Sequence, residues 1–265
     1  MALNGVIVYF PWGAGGNFVR NIITMDTRFE YLDDKDPMQM YSTVEERYQH
    51  LLSYYSQDVA PDTWLKREWS IRFRLHARYY ENSSIIYWNP DSLWAVDVHG
   101  TGDEISNILY NRQLKCYDRY KIDRGERTEQ ISPWTIKQCE HVFLLPETEE
   151  DTRIMAEIYN SKNPSINQFD TIENLDHRRD SNIAAITTMT KKLKELESHL
   201  SDDGRSVQHI NFKDLYQDDG YTVVNNIIDT LSLQIPKDYI KTLHHLWLQS
   251  TRDVYYTYFN RKLPL

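Results

Sequence analysis

Cysteine is almost missing from this chain: Cys116 and Cys139 are the only two in 265 residues, without CxxC spacing and without a neighbouring histidine array. That excludes a disulfide framework and a thiolate metal site, and both side chains read as reduced thiols. No apolar run reaches the roughly 18 residues that a bilayer crossing needs. From Met1 the chain passes directly into Gly5-Val6-Ile7-Val8-Tyr9-Phe10, which lacks the basic flank, long apolar core and small-residue cleavage site of a secretion signal. The expectation is a cytoplasmic protein without a membrane partner. Positive charge is in deficit too, with 30 Lys and Arg against 39 Asp and Glu and a formal net charge of -9. Sequence-independent binding of nucleic acid draws mainly on Lys and Arg neutralising phosphates, so nucleic acid is not an expected partner. Internal repeats, low-complexity tracts and an interdomain linker are absent as well. The chain therefore reads as a single domain over residues 1–265, long enough to bury a full core.

What is plentiful is aromatic: 13% of the residues, 19 of them tyrosine. Rings suit a packed core and ring-lined pockets but do not name a ligand. Four short apolar runs bounded by turn residues predict buried strands at Val6 to Phe10, Leu93 to Val98, Val142 to Leu145 and Val207 to Phe212. Between them lie helical patterns. Ile183, Ile186, Met189, Leu193, Leu196 and Leu200 recur at steps of three and four and Gly204 follows as a stop, which predicts a helix from Asn182 to Leu200. Strands alternating with helices indicate an α/β fold of three layers, α/β/α, with a mainly parallel central sheet. A helical insertion is expected at 31–82, with helices at Thr43 to Tyr55 and Asp62 to Tyr80, and Ile85 to Trp88 reads as an edge strand before the Asn89-Pro90-Asp91-Ser92 turn. Ser161 to Asp180, with Pro164 and several asparagines, reads as a mobile loop or lid.

The strongest local signal is an apolar strand, Val6 to Phe10, followed by Pro11-Trp12-Gly13-Ala14-Gly15-Gly16-Asn17-Phe18 and then by the helical Val19-Arg20-Asn21-Ile22-Ile23. Glycines let a backbone adopt unusual dihedrals and approach a ligand closely, and the free N–H groups that open a helix favour an anion. A phosphate or sulfate fits there. Asn17 or its amide is expected to cap the helix, and Phe18, Ile22 and Ile23 to seat it on the sheet. The bland alternative is a tight strand-to-helix turn with no ligand. The pattern is neither GxxxxGK[ST], since no lysine follows Gly16, nor GxGxxG, so neither a Walker-type nucleotidase nor a dinucleotide enzyme is indicated.

Three segments in order resemble the sulfotransferase family. The Pro11 to Phe18 loop is similar to that family's 5′-phosphosulfate loop; Asp97-Val98-His99-Gly100 ends a strand where many members carry a catalytic histidine. The third, Val207-Gln208-His209-Ile210-Asn211-Phe212-Lys213-Asp214-Leu215-Tyr216, is similar to the strand that ends in Tyr-Glu-Asp-Leu, with the apolar Val223 to Leu231 helix and a Leu-Gly-Leu-like Leu231-Ser232-Leu233 behind it. The resemblance implies a P-loop-like fold and a donor, 3′-phosphoadenosine 5′-phosphosulfate, whose sulfuryl group passes to a hydroxyl or amine of a small-molecule, carbohydrate or protein acceptor. It implies donor binding by Trp12, Gly13, Ala14, Gly15, Gly16, Asn17 and Phe18, with His99 as base and Arg20 in place of the family's loop lysine, where this chain has Trp12 or Gly13. A solvent-facing Arg20 is the alternative. For the 3′-phosphate the family uses an arginine and a serine; here Thr152 and Arg153 fall near the serine's place, beyond an acidic Glu147 to Asp151 stretch that equally suits the first turn of a helix.

No metal-ligand spacing is present. His99 also stands on its own residues, because the carboxyl end of a parallel strand is the ligand side of such a sheet and a near-neutral imidazole can take a proton from an attacking hydroxyl. The basic, aromatic Trp64 to Tyr80 stretch, Arg252 and the Arg261-Lys262 pair are weaker anion-binding candidates, each equally readable as a solvated helix face. Two other functions stay open: a transferase using a different nucleotide or sugar phosphate, and a non-catalytic nucleotide-binding or interaction protein of the same fold.

Overall fold

The computed structural model describes residues 6–28, 41–56, 95–99, 140–162 and 172–265, with the backbone alone at 95–99 and 172–178. Its centre is a parallel sheet of β1 (Val6–Phe10), β2 (Ala95–His99), β3 (Glu140–Leu145) and β4 (Val207–Asn211), in the order β2-β1-β3-β4. All five residues of β1 are at most 2% exposed. A strand that alternates nothing and hides every side chain is covered on both faces, as an inner strand of an α/β sheet must be. Val6, Val8 and Phe10 join Val142, Leu144 and Ile210 in the main core. From the opposite pleat of β1, Tyr9 stacks on Phe143 at 4.4 Å and its hydroxyl meets His141 Nδ1 at 3.0 Å.

The chain begins at β1, visits β2 on one side and returns to the other side of β1 for β3, so the strand order reverses beside β1. At such a reversal the connections leave in opposite directions and open a crevice at the carboxyl ends of the strands. The register places Phe10 opposite His99, Tyr9 opposite Phe143 and Leu145 opposite Asn211, so the four strands finish nearly level.

The helices follow from their caps and apolar spacing. After β1 comes α1 (Gly16–Ile23), then α2 (Val44–Tyr55), which starts from a capping box between Thr43 and Glu46. A second capping box, Thr148 with Asp151, opens α3 (Glu149–Ser161). The long α4 (Ile172–Asp202) leads into β4, and α5 (Phe212–Leu215), α6 (Tyr221–Thr230) and α7 (Lys237–Phe259) complete the chain.

Two expectations need correction. Residues 161, 162 and 172–180 are not a loop: Ser161 ends α3, Lys162 caps it, and α4 begins at Ile172. The reason is periodic, since Ile172, Leu175, Arg179, Ile183 and Ile186 continue the same three-and-four spacing with one arginine among the apolar residues. The last predicted strand also stops one residue early, because the Asn211 side chain accepts from Lys213 N–H and starts α5 at Phe212. The predicted helix at 62–80, the edge strand at 85–88 and the 31–82 insertion apart from 41–56 lie outside the described residues. No described helix is long and apolar enough to cross a membrane.

Three buried polar ties fix the helices around β1. Arg47 of α2, 3% exposed, donates to the carbonyls of Thr24 and Asp26, which the end of α1 leaves without intrahelical donors. Asp26 accepts from Arg28 and from Gln234 N–H, binding the end of α1 to the α6–α7 turn. Glu157 on α3 receives Arg153 Nη1 at 2.8 Å, Tyr255 Oη at 2.6 Å and Arg261 Nη2 at 2.8 Å, clamping the end of α7 to α3. Burial and the Glu157 carboxylate push the Tyr255 phenol well above its usual range.

Removing Glu157 strands the Arg261 guanidinium and the Tyr255 phenol and leaves Arg153 with Glu150 alone. Glu157→Ala is expected to lose roughly 2–3 kcal/mol, the low side of a broken buried pair because both arginines are partly hydrated; a urea titration with less than about 0.5 kcal/mol change would show that the clamp does not hold α7 to α3. Burial raises the Asp26 carboxyl, but Arg28 and the Gln234 and Arg28 amides outweigh it and hold the pKa below the ordinary 3.8. A depressed carboxylate gives stability that is present above the unfolded pKa and drains as pH falls through the folded one. The melting temperature of wild type is therefore expected to drop more steeply than that of Asp26→Asn as pH falls below about 4; parallel acid limbs would contradict the assignment.

Candidate functional site

The four strand ends converge on the loop that follows β1. Pro11 has no N–H to continue the ladder and so closes the strand. Ala14 N–H returns to Pro11 O at 3.3 Å, closing a β-turn whose third residue, Gly13, has φ 87. Gly15 follows at φ 84 and ψ 10 and is the N-cap of α1. Ala14 between them is not among the residues of positive φ, so the backbone alternates in hand along 13–15. Alternation of this kind turns successive N–H groups toward one concave side. Among the described residues the N–H groups of Gly13, Gly15 and Gly16 have no hydrogen-bond partner, and only that of Ala14 is engaged, by the long turn bond.

Protein packs the loop from three sides. A Cβ at Gly13 would lie 2.2 Å from the Met155 carbonyl oxygen of α3, and one at Gly15 would lie 2.8 Å from Leu215 and 3.0 Å from the Trp247 ring. The Trp12 ring is parked on Tyr159 of α3, centroids 5.0 Å apart and 16° from parallel. Tyr216, fully buried at the end of α5, donates its hydroxyl to the Gly13 carbonyl at 2.6 Å. The Trp247 indole lies against Gly15 by its Cζ2–Cη2 edge, and its buried Nε1–H has no partner among the described residues. Lys162 Nζ stands 5.7 Å from the centroid of the same indole.

Asn17 is not the cap that the sequence led one to expect: Gly15 holds that position and no side chain caps α1. The physical reason is that the left-handed turn at Gly15 starts the helix before Asn17, which lies inside its first turn. Phe18, Ile22 and Ile23 are fully buried, yet the Phe18 ring finds its stacking partner on α7 rather than on the sheet, Trp247 at 4.6 Å and 17°. His244 sits 5.9 Å from Phe18, and its Nε2–H donates to Leu215 O at 2.7 Å. Burial pushes the His244 imidazole below its usual range, which keeps it neutral.

The remaining sequence candidates fall as follows. His99 closes β2 at the register position opposite Phe10, the residue that precedes the loop, so its backbone lies at the same sheet edge. Arg20 is 1% exposed, which removes the solvent-facing alternative, and its Nη2 donates to Asn21 Oδ1 at 3.0 Å. Thr152 bonds back to the Thr148 carbonyl, and Arg153 is held by Glu150 and Glu157 on its own helix. Glu149, Glu150 and Asp151 form the acidic first turn of α3. Lys213, at the end of β4, pairs with Asp151 Oδ1. Arg252 pairs with Asp218, and Arg261 with Glu157. The loop's closest partners, Tyr216 Oη and Trp247, have no role that the sequence motifs assign. For Trp247 a signal existed in the spacing of Ile240, Leu243, Trp247, Leu248, Val254 and Tyr255, which reads as one buried helix face.

Gly13 combines positive φ with a backbone neighbour that cannot step aside, whereas Gly204 has φ 68 but nothing within 4 Å. Gly204→Ala is expected to cost about 1 kcal/mol from the backbone alone, and Gly13→Ala at least about 3 kcal/mol because a clash is added. Equal losses in denaturant titrations would mean that the α3 contact does not constrain the loop. Comparison with protein-family models, with curated proteins and with solved structures finds no match for this chain.

Proposed function

We propose that this chain is a sulfuryl transferase of the sulfotransferase type, taking 3′-phosphoadenosine 5′-phosphosulfate as donor and a hydroxyl or amine as acceptor. One observation carries the reading: the alternating Gly13-Ala14-Gly15 backbone leaves three N–H groups unengaged at the start of α1, beside the point where the strand order reverses. Oriented amides of this kind stabilise an oxyanion without reorganising. Level strand ends support it, since they bring the His99 position to the edge from which the loop departs. So does Ser232, whose φ of 52 is the conformation a glycine takes in a Leu-Gly-Leu turn. The three-layer, P-loop-like arrangement and the cytoplasmic location belong to the same proposal.

In this mechanism the 5′-phosphate of the donor lies against the N–H groups of Gly13, Gly15 and Gly16. The acceptor oxygen attacks sulfur in line, the bond from sulfur to the bridging 5′-phosphate oxygen breaks, and the acceptor proton passes to His99. The leaving phosphate gathers charge as that bond breaks, and the amide N–H groups, with Arg20 deeper in α1, balance it.

A second reading is favoured by a specific observation: Arg153 is committed to Glu150 and Glu157, and Thr152 to a carbonyl. A donor without a 3′-phosphate, another nucleotide or a sugar phosphate, avoids that requirement. Calorimetry with adenosine 3′,5′-bisphosphate, adenosine 5′-phosphate and a nucleotide sugar separates the two. Sulfuryl transfer predicts tightest binding of the bisphosphate; no heat from it at millimolar concentration, with heat from another nucleotide, selects the second reading. Where transfer is found, His99→Ala is expected to slow turnover by about 10²–10⁴-fold with donor affinity unchanged; retained turnover would remove His99 from the mechanism.

A further inference from the structure

The peptide between Gly13 and Ala14 is the hinge on which the loop's polarity turns. Its carbonyl points to Tyr216, whose hydroxyl donates at 2.6 Å, and its N–H points the other way, to Pro11 O at 3.3 Å. Turning this peptide changes ψ of Gly13, where glycine is permissive, together with φ of Ala14. Rotation by half a turn would bring the carbonyl oxygen to the side where the Ala14 N–H now meets Pro11 O and would break the turn bond. The alternating backbone that leaves the Gly13, Gly15 and Gly16 N–H groups unengaged would then be lost. The turn bond to Pro11 is long for an N–H···O contact and is the weaker restraint.

Tyr216 is placed to decide between the two orientations. It is fully buried between Phe212 at 5.8 Å and Trp247 at 4.9 Å, so its ring cannot follow the carbonyl if the peptide turns. Both partners are themselves fixed, Trp247 by Phe18 and Gly15, and Phe212 within the main core. The phenol comes from the end of β4 and α5, across 203 residues of sequence, so a distant strand sets the shape of the first loop.

We propose that Tyr216 is the positioning residue of the loop: its hydroxyl anchors the Gly13 carbonyl, and with it the turn, and so keeps the loop in its anion-accepting form. This role rests on the loop being the anion site of the proposed sulfuryl transfer, but it names a residue outside the loop and outside the bond-making step. Tyr216 touches no reacting atom. Without its hydroxyl the Gly13 carbonyl loses its donor, and the flipped peptide becomes populated at the expense of binding.

The test compares wild type, Tyr216→Phe and Tyr255→Phe in the full chain. Tyr255 is a control that loses an equally buried hydroxyl, bonded to Glu157, a residue two positions from Met155 and thus on the far side of α3 from the Gly13 contact. Two quantities are read: the affinity for adenosine 3′,5′-bisphosphate and for inorganic sulfate by calorimetry, and the hydrogen exchange of the Ala14 amide by NMR, referenced to core amides at Val8 and Val142. Tyr216→Phe is expected to weaken both ligands about 10-fold and to speed Ala14 exchange about 10-fold over the core amides. Tyr255→Phe is expected to lower stability without either effect. Unchanged affinity and unchanged Ala14 exchange in Tyr216→Phe, with wild type binding, would overturn the proposal, as would equal effects in Tyr255→Phe. If wild type binds neither probe, the anion reading of the loop fails. The anion-gating role then falls with it, and the exchange ratio still reports whether Tyr216 holds the peptide.

Discussion

Everything at the carboxyl edge of the sheet depends on one steric constraint: the chain must leave a strand buried on both faces and enter a helix within five residues, in a gap already occupied by α3 and α7. The Met155 carbonyl closes one side of that gap, and Leu215 with Trp247 closes the other. Left-handed glycines at 13 and 15 meet the turn, and their missing side chains meet the gap. The same residues that satisfy packing thereby leave amide donors without partners. Packing and the unengaged amides are then two consequences of one backbone path.

Charge is distributed around this path so that it does not cancel the amide dipoles. The chain is acidic overall, and of the carboxylates around the strand ends Asp151, Glu150 and Glu157 are engaged. Asp151 is held by two backbone N–H groups and Lys213, Glu150 by Arg153, and Glu157 by two arginines and a phenol. Acidic residues in the first turns of α2 and α3 also favour their own helix dipoles. Under the proposed function these pairings matter, because a carboxylate neutralised by a partner sets little field against a bound anion.

The sheet was legible where apolar runs were uninterrupted. Val6 to Phe10 and the Thr43 to Tyr55 helix read directly from the sequence, the first from five consecutive apolar residues; the second is the described α2, Val44–Tyr55, behind its Thr43 cap. The beginning of α4 was hidden because Arg179 occupies an apolar position in the repeat and the asparagines nearby mimic loop composition. Capping of α1 was misjudged for a different reason: a glycine at the N-cap acts through backbone conformation and leaves no side-chain signal. His99 at the carboxyl end of its strand followed from the apolar run before it, and the register sets it opposite Phe10. What no local pattern contained was Tyr216 on Gly13, since a contact across 203 residues depends on strand order.

The absence of a loop lysine has a physical consequence. Lysine in such a loop supplies a full positive charge to a doubly charged group, whereas amide N–H groups supply only partial charges that act over hydrogen-bond distance. Among the described cations near the strand ends, Lys213 and Arg153 are already paired with carboxylates, and an anion would have to compete with Asp151, Glu150 and Glu157 for them. Lys162 lies nearer to the loop's own packing, across the Trp247 ring that rests on Gly15. A ligand held chiefly by amides is selected by shape more than by charge, because each N–H must meet an oxygen at about 2.9 Å. A tetrahedral oxyanion meets several at once, and a planar carboxylate meets fewer. On that ground the proposed anion site would discriminate phosphate and sulfate from carboxylate without the lysine, for as long as the turn anchored at the Gly13 carbonyl holds its shape.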